Sequence, residues 1–295
     1  MSDILDLNRR FGKAGRIAFR EGPGEGAIVA LVAPKAVCEV ALHGGQVLSY
    51  RPLGHRDALY LSPLADFSTG KAIRGGIPIC WPWFGAAPAG YPPGSPAHGF
   101  ARRALWHPVE SEYGANETSL TLELTNAEAT DPAFPFPYRL RLTITLGDCL
   151  TLDLQTRNRG EEPFTFGEAL HAYLRLGDAR QAQLQGIDNR LITFSDEAGI
   201  DTVFPQPNVL AALEDPILER TVAIAADEAA AVVVWHPPLD HAFGDLPLEG
   251  PRHFVCVEPA NPHHTGGQIT LAPGESHTLT CRIQCLQKKR VEDDR

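Results

Sequence analysis

Between Ala72 and Arg103 the chain reads A-I-R-G-G-I-P-I-C-W-P-W-F-G, then a Pro/Gly-rich spacer, then H-G-F-A-R-R. The segment sets Arg74 and Arg102 in one stretch with His98, Trp81, Trp83 and the pair Gly75-Gly76. Planar guanidinium forks suit phosphate or carboxylate oxygens. Glycine backbone lets amides approach the same anion, and tryptophan offers a broad face to the apolar side of a sugar ring. Together these residues describe a site for a phosphorylated sugar. They allow a plainer use as well, in which Trp81, Trp83 and Phe84 close a hydrophobic core and the arginines point to water.

Two more groups have the chemistry to move protons. Between Phe164 and Tyr173, Phe164 and Phe166 share one parity, and Thr165, Gly167, Ala169, His171 and Tyr173 share the other. On an unbroken strand His171 therefore projects opposite the phenylalanines, among small residues that leave room. Taken alone, it is equally a surface histidine without a role. Glu258 ends the apolar run F-V-C-V and precedes Pro259. It is either a cap for loop amides or a functional carboxylate whose pKa burial would raise from about 4.3. Parity leaves its direction open, because Pro259 can end the pleat.

The elements that must position these groups are strands. Leu120, Leu122 and Leu124 alternate with polar residues, as do Leu140, Leu142, Ile144 and Leu146, and then Leu150, Leu152 and Leu154 after the short connection Gly147-Asp148-Cys149. A period of two means one buried and one wet face. Residues 26–32, 36–42, 254–258 and 279–285 read as further strands, and the alanine-rich 225–231 runs into strand-forming Val232-Val233-Val234-Trp235. Helical spacing is nowhere sustained for three turns, and 25 prolines and 27 glycines punctuate the chain. Strands without crossover helices must pair antiparallel. The expected fold is all-β, a large antiparallel β-sandwich formed by residues 1–295 as one domain. Residues 1–26 are expected as a loose lead-in with one short strand, and 287–295 as a frayed tail.

Charge and composition narrow the partners. Lys and Arg number 26 against 36 Asp and Glu, a net charge of −10. An acidic surface argues against nucleic acid, which needs a basic face. A local arginine pair can still hold a small anion, since screening acts over about 8–10 Å. The apolar runs are too short to cross a bilayer. The N-terminus M-S-D-I-L-D-L-N-R-R has no secretion-signal pattern, and six cysteines without zinc-like spacing fit reduced thiols. A cytoplasmic monomer is expected. Cys281 and Cys285 read as small core hydrophobes.

The strings R-G-G-I-P-I-C-W-P-W-F-G and H-G-F-A-R, with E-A-L-H-A-Y-L at 168–174 and F-V-C-V-E-P at 254–259, resemble in order and approximate spacing the hexose-6-phosphate mutarotase branch of the aldose 1-epimerase family. The resemblance spans most of the chain and thins toward both ends. It implies the galactose mutarotase supersandwich, with a site on a concave sheet face. It also implies interconversion of the α and β anomers of a hexose 6-phosphate without metal or redox cofactor. On the matching positions, Glu258 is the base toward the anomeric hydroxyl and His171, as imidazolium, the acid toward the ring oxygen. A neighbouring carboxylate is expected to hold that histidine protonated nearer neutrality. His98 contacts the sugar, and Arg74 and Arg102 hold the 6-phosphate.

Two positions depart from the family pattern. Ala97 stands where some relatives have Gln. The sugar-contacting Asp of relatives falls in G-I-D-N-R-L-I-T-F, where Asp188 is the carboxylate at hand and Thr193 the aligned position. Two other readings stand beside the epimerase. One is a non-catalytic sugar-phosphate or carbohydrate-binding protein on the same fold. The other is a cupin-type metalloenzyme built on Glu258 with His263 and His264, or on His236 and His241.

Overall fold

The computed structural model describes residues 3–24, 26–129, 131–194, 199–205, 209–239 and 242–287. The tail at 288–295 lies outside them. Strands dominate, in large antiparallel sheets. The nine-stranded sheet runs in the order Arg190–Thr193, Gln183–Ile187, Leu210–Asp215, Arg220–Asp227, Ser276–Gln287, Leu150–Asn158, Tyr138–Leu146, Thr118–Thr125, His107–Tyr113. Its central strands carry the alternation read from sequence: Tyr138–Leu146 and Leu150–Asn158 are buried at every second residue. Cys281 is buried and Cys285 half-buried on the neighbouring strand.

A four-stranded sheet, Ile17–Glu21, Ala27–Ala33, Ala36–Ala41 and Gln46–Pro52, shares the main core with it. The lead-in is more ordered than expected. Ile4–Phe11 is a helix, capped by the Asp3 side chain on the Leu5 amide, and it buries Leu7 and Phe11. Residues four apart lie on one helix face, so this pair docks the segment, helped by Ile4 against the core and by the Asn8 side chain bonded to the Phe19 backbone. Among the described residues no helix is long and apolar enough to cross a membrane.

The sheet that matters for function runs Ile200–Pro205, Ala231–His236, Phe254–Asn261, Glu168–Leu170, Ile79–Cys80, with Ala172–Arg175 also paired to Phe254–Asn261. Its two faces differ. Val232, Val234, Val255, Val257, Leu170, Ala172 and Leu174 point into the main core. The intervening positions face away from it, and they carry His171, Tyr173, Val233, Trp235 and Glu258. In this sheet the strand Phe254–Asn261 does not stop at Pro259, which pairs with Val232. A proline lacks the N–H that a ladder needs. Correspondingly, the expected unbroken strand through His171 is three short pieces, Phe164–Phe166, Glu168–Leu170 and Ala172–Arg175. The register nevertheless carries across the last break: Ala169 pairs with Ala260 and Ala172 with Val257. His171 is thereby set opposite Glu258, and its own amide bonds to the Pro78 carbonyl instead.

Candidate active site

A cavity of about 720 Å³ opens on this outer sheet face. His171 and Glu258 form its buried floor, 6% and 1% exposed. His171 Nδ1 lies 3.3 Å from Glu258 Oε1. The contact is close but not aligned as a hydrogen bond, so Nδ1 and the other carboxylate oxygen, Oε2, are left without partners. Orphaned lone pairs at the bottom of a cavity are costly.

Burial foremost, with help from the Asp201 carboxylate, pushes Glu258 well above the ordinary carboxylate range. Burial, then His98, Arg102 and Arg74, push His171 well below the ordinary imidazole value. The direction for His171 is the reverse of the sequence expectation. A neighbouring carboxylate raises an imidazole only if it is itself charged, and burial disfavours the charged form of both groups. Both movements favour the uncharged forms, a protonated carboxyl and a neutral imidazole.

His98 is held by a left-handed backbone, φ 61°. Its Nδ1 accepts from the Gly85 amide at 3.3 Å. A neutral ring that accepts at Nδ1 carries its proton on Nε2. Burial and then Arg102 and Arg74 push its pKa down to about 3. His98 therefore stays neutral and offers an N–H donor to the cavity.

Arg74 and Arg102 line the same cavity. Arg74 donates through Nε to Asp245 at 3.0 Å and through one terminal nitrogen to the Tyr173 hydroxyl at 3.0 Å. Arg102 donates to the Ala97 carbonyl at 2.9 Å, a contact in which the side chain of residue 97 plays no part. His171, Cys256 and Glu258 offer ligand atoms within 4.8 Å of one another, a set that could hold a soft divalent ion. Two guanidiniums facing the same space favour an anion there instead.

The fold has counterparts among solved structures. The family model for aldose 1-epimerase matches residues 28–198 and 187–284. The chain belongs to the aldose 1-epimerase family. A protein of Escherichia coli K12 named "Putative glucose-6-phosphate 1-epimerase" is 35% identical over 245 residues, 77% of this chain and 80% of that protein. One of the same name from Cenchrus ciliaris is 30% identical over 266 residues, 80% of this chain and 78% of that one. The crystal structure of a mutarotase (YeaD) from Salmonella typhimurium, so named with the same qualifier, superposes with a TM-score of 0.82 at 27% identity, covering 92% of this chain and 94% of that one.

Within this aldose 1-epimerase chain, five of the eight residues singled out from sequence converge on the cavity: Arg74, His98, Arg102, His171 and Glu258. Three do not. Trp81 and Trp83 are fully buried. Trp81 packs against Phe100, Phe134 and Tyr138, and Trp83 donates its indole N–H to the Pro96 carbonyl. The plainer reading of the tryptophans is the one the fold adopts. Asp188 sits at φ 50° in the turn between Gln183–Ile187 and Arg190–Thr193, paired with Arg190 at 2.8 Å, and does not line the cavity. Thr193 is likewise exposed at the end of its strand.

Gly75 and Gly76 are also required by the fold: a Cβ on Gly75 would meet the Tyr60 carbonyl at 2.4 Å. A Cβ on Gly76 would meet the Val47 carbonyl at 2.1 Å, and its amide is already bonded to the Tyr60 carbonyl. Of the metal readings, His263 and His264 line the cavity, His236 bonds to the Pro251 carbonyl, and His241 lies outside the described residues.

Sequence reasoning missed Asp201, Tyr173, Trp235 and Asp245. Asp201 pairs with Trp235 across neighbouring strands, so both reach the outer face. The available signal was an acid at the head of the short apolar strand Ile200–Pro205, with the parity of cavity-lining Val203. Asp245 follows no periodic pattern and carried no signal.

Proposed function

We propose that this aldose 1-epimerase family member interconverts the α and β anomers of a hexose 6-phosphate, with glucose 6-phosphate as substrate. The observation that carries the reading is the cross-strand pair of His171 and Glu258 at the floor of a cavity lined by two arginines. The relatives' names agree with it. A floor pair of acid and base serves proton transfer, whereas a protein that only binds sugar phosphates has no use for it.

The shared proton is the working part. A phosphate dianion held by Arg74 and Arg102 offsets two of the positive charges that depress His171. In the reactive arrangement the imidazole carries the proton. Glu258, now a carboxylate, takes the proton of the C1 hydroxyl as the C1 carbonyl forms. The bond from C1 to the ring oxygen breaks, and that oxygen takes both bonding electrons and the proton of His171. The pair is then back in the neutral arrangement that burial favours. Rotation about C1–C2 and reversal of both transfers closes the other anomer. His98 donates Nε2–H to a sugar oxygen, Trp235 offers its face to the ring, and Asp201 accepts from a hydroxyl. Each proton transfer contributes about 10²–10⁴-fold.

Dissolving pure α-glucose 6-phosphate with catalytic protein and following optical rotation tests this directly. Decay to the anomeric equilibrium faster than the buffer rate, in proportion to protein, is expected. A decay equal to buffer, with the sugar phosphate bound, would leave the binding-protein reading in its place.

A further inference from the structure

Tyr173 touches both ends of the proposed chemistry. Its ring stacks on His171, centroids 4.9 Å apart and planes 8° from parallel. Its hydroxyl accepts from Arg74 at 3.0 Å, and Asp245 fixes the same guanidinium from its other edge at 3.0 Å. The side chain is 3% exposed and is packed on its remaining sides by Phe254 and Trp235. Arg74 cannot shift toward an anion without moving or releasing that hydroxyl. The ring beneath the hydroxyl is one wall of the imidazole's cage. The hydroxyl and the stack are separable, since the first belongs to the oxygen and the second to the ring.

We propose that Tyr173 is a positioning residue that links the phosphate-holding arginine to the acid/base histidine, so that phosphate binding raises turnover as well as affinity. The inference rests on the roles given above to Arg74 and His171. Its physical basis is general: binding energy from a remote, non-reacting part of a substrate accelerates the chemical step only when something rigid carries it to the reacting groups. Here the carrier is a single side chain, held by packing, with one atom on the arginine and one face on the histidine. Phosphorylated and free sugars should therefore differ in kcat, and the difference should depend on Tyr173.

Two variants separate the parts. Tyr173→Phe keeps the stack and deletes the hydroxyl; Tyr173→Leu deletes both. With wild type, kcat for glucose 6-phosphate is expected to exceed kcat for glucose. In Tyr173→Phe, kcat/KM for glucose 6-phosphate should fall about tenfold, the scale of one hydrogen bond to a charged group, and its kcat should approach that for glucose. The losses on glucose should be clearly smaller than those on glucose 6-phosphate. In Tyr173→Leu, kcat for both sugars should fall and the pH profile should shift, because the imidazole has lost a wall.

Equal losses on both sugars in Tyr173→Phe, or no loss on either, would overturn the link. Thermal unfolding separates a misfolded Tyr173→Leu from an informative one, and Tyr173→Phe decides the matter by itself if Tyr173→Leu does not fold. A wild-type protein inert toward both sugars contradicts the proposed function. An active wild type whose Tyr173→Phe variant treats both sugars alike contradicts only this inference.

Discussion

His171 and Glu258 face each other from neighbouring strands, Nδ1 to Oε1 3.3 Å, because the pairing of Ala172 with Val257 fixes the register beside them. Neither residue is near the other in sequence. Burial moves the imidazole pKa down and the carboxyl pKa up, which favours a single proton on the pair over a wide pH range.

The first consequence is a pH profile. The pair works with one proton bound. On the acid side, activity is lost when a second proton binds, and His171 resists that by being held well below 6.5. On the alkaline side, activity is lost when the last proton leaves, and Glu258 delays that by being held well above 4.5. The two limbs belong to the pair rather than to either residue. The expected profile of kcat/KM for glucose, which has no ionisation of its own in this range and so leaves the free enzyme as the reporter, is flat through neutrality, with its acid limb below the ordinary imidazole value. An acid limb at 6.5 would contradict the burial argument.

The phosphate assignment makes a separate claim. Arg102→Ala should raise KM for glucose 6-phosphate by about tenfold or more, the scale of a charge-assisted contact, and leave KM for glucose nearly unchanged. Added salt should weaken the phosphorylated substrate more than the free sugar. Michaelis plots for both sugars at low and high ionic strength check this, and equal changes for the two would remove the arginine from the phosphate site.

Trp81 and Trp235 should behave as opposites. Trp81 is fully buried, so Trp81→Ala should cost about 3–5 kcal/mol of stability, the usual range for a large core aromatic. Trp235 is half-buried at the cavity wall, so Trp235→Leu should raise KM while shifting the melting temperature far less. Urea unfolding and steady-state kinetics on both variants make the comparison.

Outside the site, His277 and Glu168 tie two sheets together. His277 Nε2 lies 3.0 Å from a Glu168 oxygen, and Asn261 donates to that same oxygen at 3.0 Å. Burial lowers the His277 pKa, but the bond and charge of Glu168 outweigh it and raise the net value. A raised folded-state pKa gives stability that is fully present below the unfolded value, about 6.5, and lost as pH rises through the folded value. His277→Gln should therefore destabilise by about 1–3 kcal/mol in mildly acidic buffer and by less in alkaline buffer. Chemical denaturation at both pH values reads the difference; a gap that widens with pH would contradict the sign.

The strands were legible because a period of two survives in leucines such as Leu140, Leu142 and Ile144, whatever the loops do. The direction of His171 was legible for a related reason: the chain breaks twice on the way from Phe164, yet each break preserves parity. Trp81 and Trp83 were not legible, since a Gly/Pro-rich loop looks the same whether its aromatics turn inward or outward. The helix at Ile4–Phe11 is too short for a periodic signal, with only Leu7 and Phe11 buried. Asp201 and Asp245 reach the cavity through an edge strand and an irregular loop, which no local pattern announces. The downward direction for His171 was out of reach, because it depends on burial and on arginines about 70 to 100 residues away in the chain, whereas the rise of Glu258 on burial was one of the two readings its position allowed.

The most direct measurement is magnetisation exchange by NMR between the α and β anomers of glucose 6-phosphate at equilibrium, with wild type and with Glu258→Gln. Glutamine keeps the size and removes the base. Exchange accelerated by wild type, and reduced about 10²–10⁴-fold in the variant while the sugar phosphate still binds, is the expected result. Undiminished exchange in Glu258→Gln would contradict the central claim that this buried carboxylate, paired with His171, moves the anomeric proton.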